Sequence, residues 1–196
     1  MIKGMFWNVR GISKALTFRR LKKLIQMYSI QFLAICESRL QVGRAERYRC
    51  KLNFHGLLHN SVGSVLENYF DVIIGESSQH VSARLSHDHL PESQLVVSFV
   101  HTRCTTIERE ELWAGLLSDS PASTAWLVGG DFNVISDADE KRGGRPFNPA
   151  KAMEFVQFIS EVNLTDIGFS GARFTWCNNR HGGGEDLKTI RSGSSE

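Results

Sequence analysis

A mixed α/β domain (α/β or α+β) is the fold class this sequence predicts, and three observations predict it. Short apolar runs of strand length alternate with amphipathic stretches of helical period along most of the chain. Several of those runs end in a polar side chain: Asn8, Glu37, His101, and Asp131 followed by Asn133. The 196 residues, 41% hydrophobic and 22% charged, are enough for one domain with a substantial core.

The elements follow in order. Residues 2–8 (IKGMFWN) read as an opening strand that ends in Asn8. A helix comes next, with Leu21, Leu24, Ile25 and Tyr28 at helical spacing and Arg and Lys on the other face. QFLAICES is a short apolar strand ending at Glu37; YFDVIIGE and QLVVSFVH are two more, the second ending at His101. EREELWAGLL is a helix that puts Leu112, Trp113, Leu116 and Leu117 on one side. NPAKAMEFVQFISEVN carries helix signals at both ends, with Asn148 as cap, Pro149 at the first helical position and Asn163 as the stop. GARFTW reads as a last strand, and no internal repeat is present. Residues 1–180 are thus expected to form the domain, with 181–196, a Gly/Ser-rich stretch without apolar period, as a loop or disordered tail.

The net charge of +2 argues weakly for any partner. Arg19, Arg20, Lys22, Lys23, Arg39, Arg44, Arg47, Arg49 and Lys51 load the first quarter, a surface that suits a phosphate backbone but equally suits a solvated helix face. The four cysteines, Cys36, Cys50, Cys104 and Cys177, show no C-x-x-C pairing and read as free thiols, with no disulfide partner. The start MIKGMFWNVRG has no apolar signal-peptide region, and no apolar run reaches the roughly 18 residues of a membrane span. An intracellular protein, nuclear or cytoplasmic and not secreted, acting as a monomer away from membranes, is expected.

TAWLVGGDFNVISD, residues 124–137, poses the functional question. An apolar strand, buried on both faces, runs into two glycines and then Asp131 and Asn133. If the chain stays extended past a Gly-Gly bend, those two side chains point the same way. A turn closed by an Asx cap explains the same residues, and on them alone it has the edge. The other polar strand ends tip the balance. Were they to share one sheet edge, two carboxylates with amide oxygens and water would make the oxygen shell that Mg²⁺ prefers. Such a metal polarises a phosphoryl oxygen and steadies a leaving alkoxide.

The stretches MFWNVRG, FLAICESRL, TRCTTIEREELW, WLVGGDFNVI and LTDIGFSGARFTWCNNR occur in an order that resembles the endonuclease/exonuclease/phosphatase superfamily. Within it, the sequence is similar to the endonuclease domain of non-LTR (LINE-type) retrotransposons abundant in plant genomes. The likeness covers nearly the whole chain and is weakest across residues 55–95. It implies a four-layer α/β/β/α sandwich and Mg²⁺-dependent phosphodiester hydrolysis in DNA, with Mn²⁺ as a substitute metal. By the same resemblance, Glu37 is the principal metal ligand and Asn8 helps bind metal or phosphate. Asp131 orients or activates the attacking water, and Asn133 holds the scissile phosphate. Trp176 and Asn178 fall where relatives approach nucleic acid, and Arg10, within WNVRG, is assigned to the same contact.

Three departures accompany the resemblance. His101 stands where the family usually has tyrosine, so a ring N–H replaces a phenol as the donor to phosphate. Relatives carry an Arg-Leu-Asp element after the FTW stretch, whose aspartate belongs to the active site; here the equivalent region reads EDLKTIRSG, and Asp186 does not fit the motif. The resemblance also implies a terminal Ser-Asp-His element, whose histidine contacts the scissile phosphate or serves in acid/base chemistry, and it does not occur here. The domain is therefore expected to be incomplete at its C-terminus, and the nuclease weak or inactive. A non-catalytic remnant with residual nucleic-acid binding, or a phosphatase for a small phosphoester, are the alternatives. The segment 61–68 is shorter than the strand pair expected there, which implies a gap in one sheet. His87, Asp88 and His89 imitate the missing terminal motif, but they precede GGDFN and read as a surface turn.

Overall fold

Side-chain alternation decides the architecture. In β2 (Phe32–Cys36) every residue is buried, but on two different sides. Phe32 and Ala34 pack with Val65, Leu85, Val97 and Phe99 in a core between two sheets. Leu33 and Ile35 pack outward with Ile12, Leu21, Leu52 and Phe54. The same split recurs in β8 (Trp126–Asp131), where Leu127 joins the core between the sheets. Trp126 and Val128 join an outer core with Leu112, Trp113, Leu116, Phe155 and Phe158. A strand with helices outside and a second sheet inside must be apolar on both faces, which is why these runs lack the alternation of a half-exposed strand.

The computed structural model describes residues 3–9, 12–37, 40–60, 63–68, 70–88, 90 and 93–167, plus the backbone of 176–177, 186–188 and 192–195. The first sheet has the order β1-β2-β4-β3, with β1 (Gly4–Asn8), β3 (Gly56–His59) and β4 (Gly63–Glu67) around β2. Its outer face carries α1 (Ala15–Tyr28) and α2 (Val42–Leu52). The second sheet runs through β5 (Phe70–Glu76), β6 (His80–Ser86), β7 (Gln94–His101) and β8. Its outer face carries α3 (Thr106–Asp119) and α4 (Met153–Glu161). The result is the expected α/β/β/α sandwich. A short strand β9 (Lys141–Gly143) follows β8 and, with β11 (Trp176–Cys177) and β12 (Asp186–Lys188), forms a separate three-stranded ribbon. β10 (Thr165–Asp166) and β13 (Ser192–Ser195) extend the second sheet beyond β8.

Several expectations are corrected. The gap expected at 61–68 is filled: β4 pairs antiparallel with both β2 and β3, and its Val65 and Leu66 are buried. Gly63 permits the pairing, because a Cβ there would lie 2.1 Å from the Ile35 carbonyl oxygen. The glycine pair before Asp131 is no bend. Both residues belong to β8, and a Cβ on Gly130 would lie 1.9 Å from the Val100 carbonyl oxygen on β7. Close backbone approach, rather than a turn, requires that glycine. The helix expected from Asn148 starts later. Asn148 Oδ1 accepts from the Ala150 N–H at 3.1 Å, but what it caps is a 3₁₀ turn at Pro149–Lys151, and α4 begins at Met153. On the two amphipathic helices, Tyr28 and Leu117 are exposed, and the buried place on α3 expected of Leu117 goes to Arg109. Arg109 succeeds there because Glu154 of α4 receives its Nε–H at 2.9 Å and the Cys104 carbonyl accepts another N–H at 3.0 Å. Within 181–196, the expected loop tail, residues 186–188 and 192–195 instead pair as β12 and β13. Strand β8 has a hydrogen-bonding edge away from β7, which the small Gly/Ser residues of β13 occupy.

Candidate active site

Two parallel strand pairs bring the polar strand ends together. β1 and β2 run parallel with Asn8 opposite Cys36, so Asn8 and Glu37 emerge at one end of the first sheet. β7 and β8 run parallel with His101 opposite Asp131, so those two emerge at one end of the second. It is the same end. Asn8 Nδ2 donates to Asp131 Oδ2 at 2.8 Å and lies 3.2 Å from Glu37 Oε1. His101 Nε2 lies 3.6 Å from Glu37 Oε1. One amide therefore ties together carboxylates from opposite sheets, across 123 residues of sequence.

Each group is held by its backbone. Asp131 Oδ1 accepts the Asn133 N–H at 3.1 Å, an Asx turn that ends β8. The turn and the site are thus the same feature: one carboxylate oxygen caps the bend and the other meets Asn8. The chain does not stay extended to Asn133, whose φ of 47° is left-handed. Asn133 Nδ2 donates to the Thr102 carbonyl at 2.6 Å, and Thr102 in turn donates its hydroxyl to the Phe132 carbonyl at 2.5 Å. A primary amide has two N–H bonds, so one remains for a ligand. Glu37 also has a left-handed φ, of 50°, directly after the fully buried run of β2. Glutamate rarely adopts that region, and such strain persists where surrounding structure imposes it. Beneath the site lies Cys36, whose thiol burial pushes up to about 12, helped by the negative charges of Asp131 and Glu37. It is protonated at neutral pH and unsuited to nucleophilic attack.

The donor set suits a hard cation. Asn8 Oδ1 is buried and has no hydrogen-bond partner among the described residues, while Nδ2 sits between the two carboxylates where its N–H groups offset their charge. Which end of an amide faces which neighbour is assigned from such contacts. A cation between the carboxylates would favour the opposite orientation and give the oxygen a role. Among the described residues no group of three or more His, Cys, Asp and Glu is arranged to hold a metal. The set is instead two carboxylates and an amide oxygen, chemistry that fits Mg²⁺, which retains several waters and takes few protein ligands.

Of the remaining sequence candidates, Arg10, the side chain of Trp176, and Asn178 lie outside the described residues, as does His89. His87 and Asp88 sit in the connection from β6 to β7. That connection is at the opposite end of β7 from His101, ~23 Å away at 3.3 Å per residue. Nothing in the sequence reading anticipated Thr102, which anchors Asn133; a threonine directly after a strand-ending His101 was the available signal.

Among the described residues no helix is long and apolar enough to cross a membrane, and Cys36, Cys50 and Cys104 are free thiols. No family model and no curated protein matches the sequence. Solved structures do match. The endonuclease domain of TRAS1, a telomere-specific non-LTR retrotransposon, superposes with a TM-score of 0.68 at 11% identity, over 100% of this chain and 86% of that one. An AP endonuclease from Archaeoglobus fulgidus gives 0.67 at 12%, over 99% and 86%. The 3′ phosphatase NExo from Neisseria, bound to a product DNA hairpin, gives 0.63 at 15%, over 100% and 87%. The fold of this chain is that of the endonuclease/exonuclease/phosphatase structures.

Proposed function

We propose, from the endonuclease/exonuclease/phosphatase fold as premise, that this chain is a retrotransposon-type, Mg²⁺-dependent endonuclease domain that hydrolyses phosphodiesters in DNA. The observation that carries the reading is the Asn8 amide bridging Glu37 and Asp131 across the two sheets. Glu37 and Asp131, with the amide oxygen of Asn8, would hold Mg²⁺ (or Mn²⁺), which supplies charge neutralisation at the phosphate and the leaving oxygen. Asp131, fixed by the Asn133 N–H, orients a water for in-line attack. Asn133, anchored on Thr102, presents its second N–H to a non-bridging phosphate oxygen. His101, beside Glu37, offers a ring N–H to the same group. Preorganised donors of this kind stabilise charge that develops during reaction without reorganising.

No Ser-Asp-His element occurs in these 196 residues, so this polypeptide is expected to nick weakly. A missing general acid or base costs about 10²–10⁴-fold. The test is plasmid relaxation with Mg²⁺, using this chain, its Glu37→Ala variant, and a version extended by a Ser-Asp-His segment. Nicking that rises in the extended version and disappears with Glu37→Ala supports the reading. Nicking indifferent to Glu37 refutes it. A 3′-phosphatase is the second reading, favoured by the likeness to NExo; release of inorganic phosphate from a 3′-phosphorylated oligonucleotide, without nicking, would select it.

A further inference from the structure

Beside Asn133 the surface opens into a cavity of about 580 Å³. Its walls come from the loop before α3 and that helix's first residue (Cys104–Thr106), from Asn133–Ile135 after β8, and from the stretch Lys141 to Ala152. Among the described residues, four cationic side chains line it, Arg109, Lys141, Arg145 and Lys151, and no aspartate or glutamate does. Two of the four are already engaged: Arg109 with Glu154, and Lys141, whose Nζ donates to the Arg145 carbonyl at 2.7 Å. The other two are not. Neither the Arg145 guanidinium nor the Lys151 ammonium has a carboxylate partner among the described residues, and both residues are exposed. The bond from Lys141 to the Arg145 backbone, together with the turn at Pro149–Lys151, fixes the loop on which they are carried.

A cavity that begins at the residue assigned to the scissile phosphate and continues into unpaired cations matches a chain of phosphates. We infer that this cavity is a subsite for the phosphodiester backbone of the bound strand, in which Arg145 and Lys151 receive phosphates next to the one at Asn133. The inference rests on the DNA reading above. Guanidinium can grip a phosphate with two parallel N–H bonds, whereas the lysine acts as a point charge. Neither contact reads bases, so the subsite adds affinity and register without sequence preference. It also gives direction: on this side the strand leaves the carboxylates past Asn133 toward α4.

Binding of a fluorescent DNA duplex by the full chain, followed by anisotropy from low to moderate salt, tests this. Arg145→Ala/Lys151→Ala is compared with Arg19→Ala/Lys23→Ala, which removes the same charge from the exposed face of α1. Each phosphate contact contributes about 0.9 to the slope of log K against log salt. The subsite pair should therefore lose between one and two in slope, and affinity should fall on the order of tenfold. The α1 pair should change neither. Thermal melting of both variants shows that they fold; Arg145→Gln/Lys151→Gln serves if the alanine pair does not. Equal losses in the two double variants, or none in the subsite pair, overturn the subsite while leaving DNA binding by the chain standing. Absence of salt-dependent DNA binding by the unaltered chain overturns the subsite and the DNA reading together. A deoxynucleoside monophosphate added at millimolar concentration should compete poorly. If it displaces DNA from the unaltered chain but not from the subsite variant, the cavity takes a small phosphoester, and the backbone assignment is wrong.

Discussion

Glu37 holds a left-handed backbone, φ 50°, and its side chain sits beside another carboxylate through the shared Asn8 amide. Both features oppose stability, the first by about 1–3 kcal/mol for a residue with a Cβ. Glycine has no such penalty there. Glu37→Gly should therefore melt at a higher temperature than the unaltered chain in the absence of divalent metal, and lose the stabilisation that Mg²⁺ adds. Calorimetry with and without Mg²⁺ checks both halves; a lower metal-free melting temperature would mean the strain is not real. Cys36 makes a second prediction. Its thiol is pushed from an ordinary value of 9.0 to about 12. The folded state binds this proton more tightly, so the contribution is fully present below pH 9 and is lost as pH rises toward 12. The stability difference between the native chain and Cys36→Ala, measured by urea denaturation, should shrink across that interval. At pH 8 an alkylating reagent should label the exposed Cys50 and Cys104 and spare Cys36.

At the scale of elements, α3 and α4 are joined by a buried ion pair as well as by aromatic packing. Trp113 stacks on Phe158 with ring centroids 4.9 Å apart, and Arg109 meets Glu154 nearby. Glu154→Ala would leave the Arg109 cation buried with only carbonyl and hydroxyl partners, a loss of about 3 kcal/mol or more. Glu154→Ala combined with Arg109→Met should recover much of it, which chemical denaturation can measure. The same elements show what was legible from sequence. α3 was readable from its apolar spacing, and only its fourth buried position was misassigned, because a buried arginine is invisible to a hydrophobicity pattern. β6 was not readable. Its Ser82 is buried and bonds Ser98 of β7 at 2.8 Å, while Trp126 donates to that same Ser98 at 2.8 Å. Serines placed in the core disguise a strand that is buried on both faces. α2 is hidden in the sequence for the opposite reason: Arg44, Arg47, Arg49 and Lys51 dominate its composition, and the buried Ala45 and Leu52 leave a thin apolar stripe.

For the whole molecule, the polar strand ends were visible in sequence, but their meeting was not. Asn8, Glu37, His101 and Asp131 are each the last side chain of a run, and only the parallel pairing of β1 with β2 and β7 with β8, stacked with the same sense, turns four strand ends into one site. The resemblance supplied that stacking; residue spacing did not. Nor did spacing reveal that Asp131 both closes an Asx turn and faces Glu37 through Asn8, since the two readings of GGDFN looked exclusive. On the proposed reading, Glu37 and Asp131 share one divalent cation. The most direct measurement of this is a titration of the full chain with Mn²⁺, followed by electron paramagnetic resonance, with Mg²⁺ as competitor. One site per chain is predicted, displaced by Mg²⁺, and lost in both Glu37→Gln and Asp131→Asn while His87→Ala retains it. Mn²⁺ binding that survives both carboxylate substitutions would rule out a shared cation at Glu37 and Asp131.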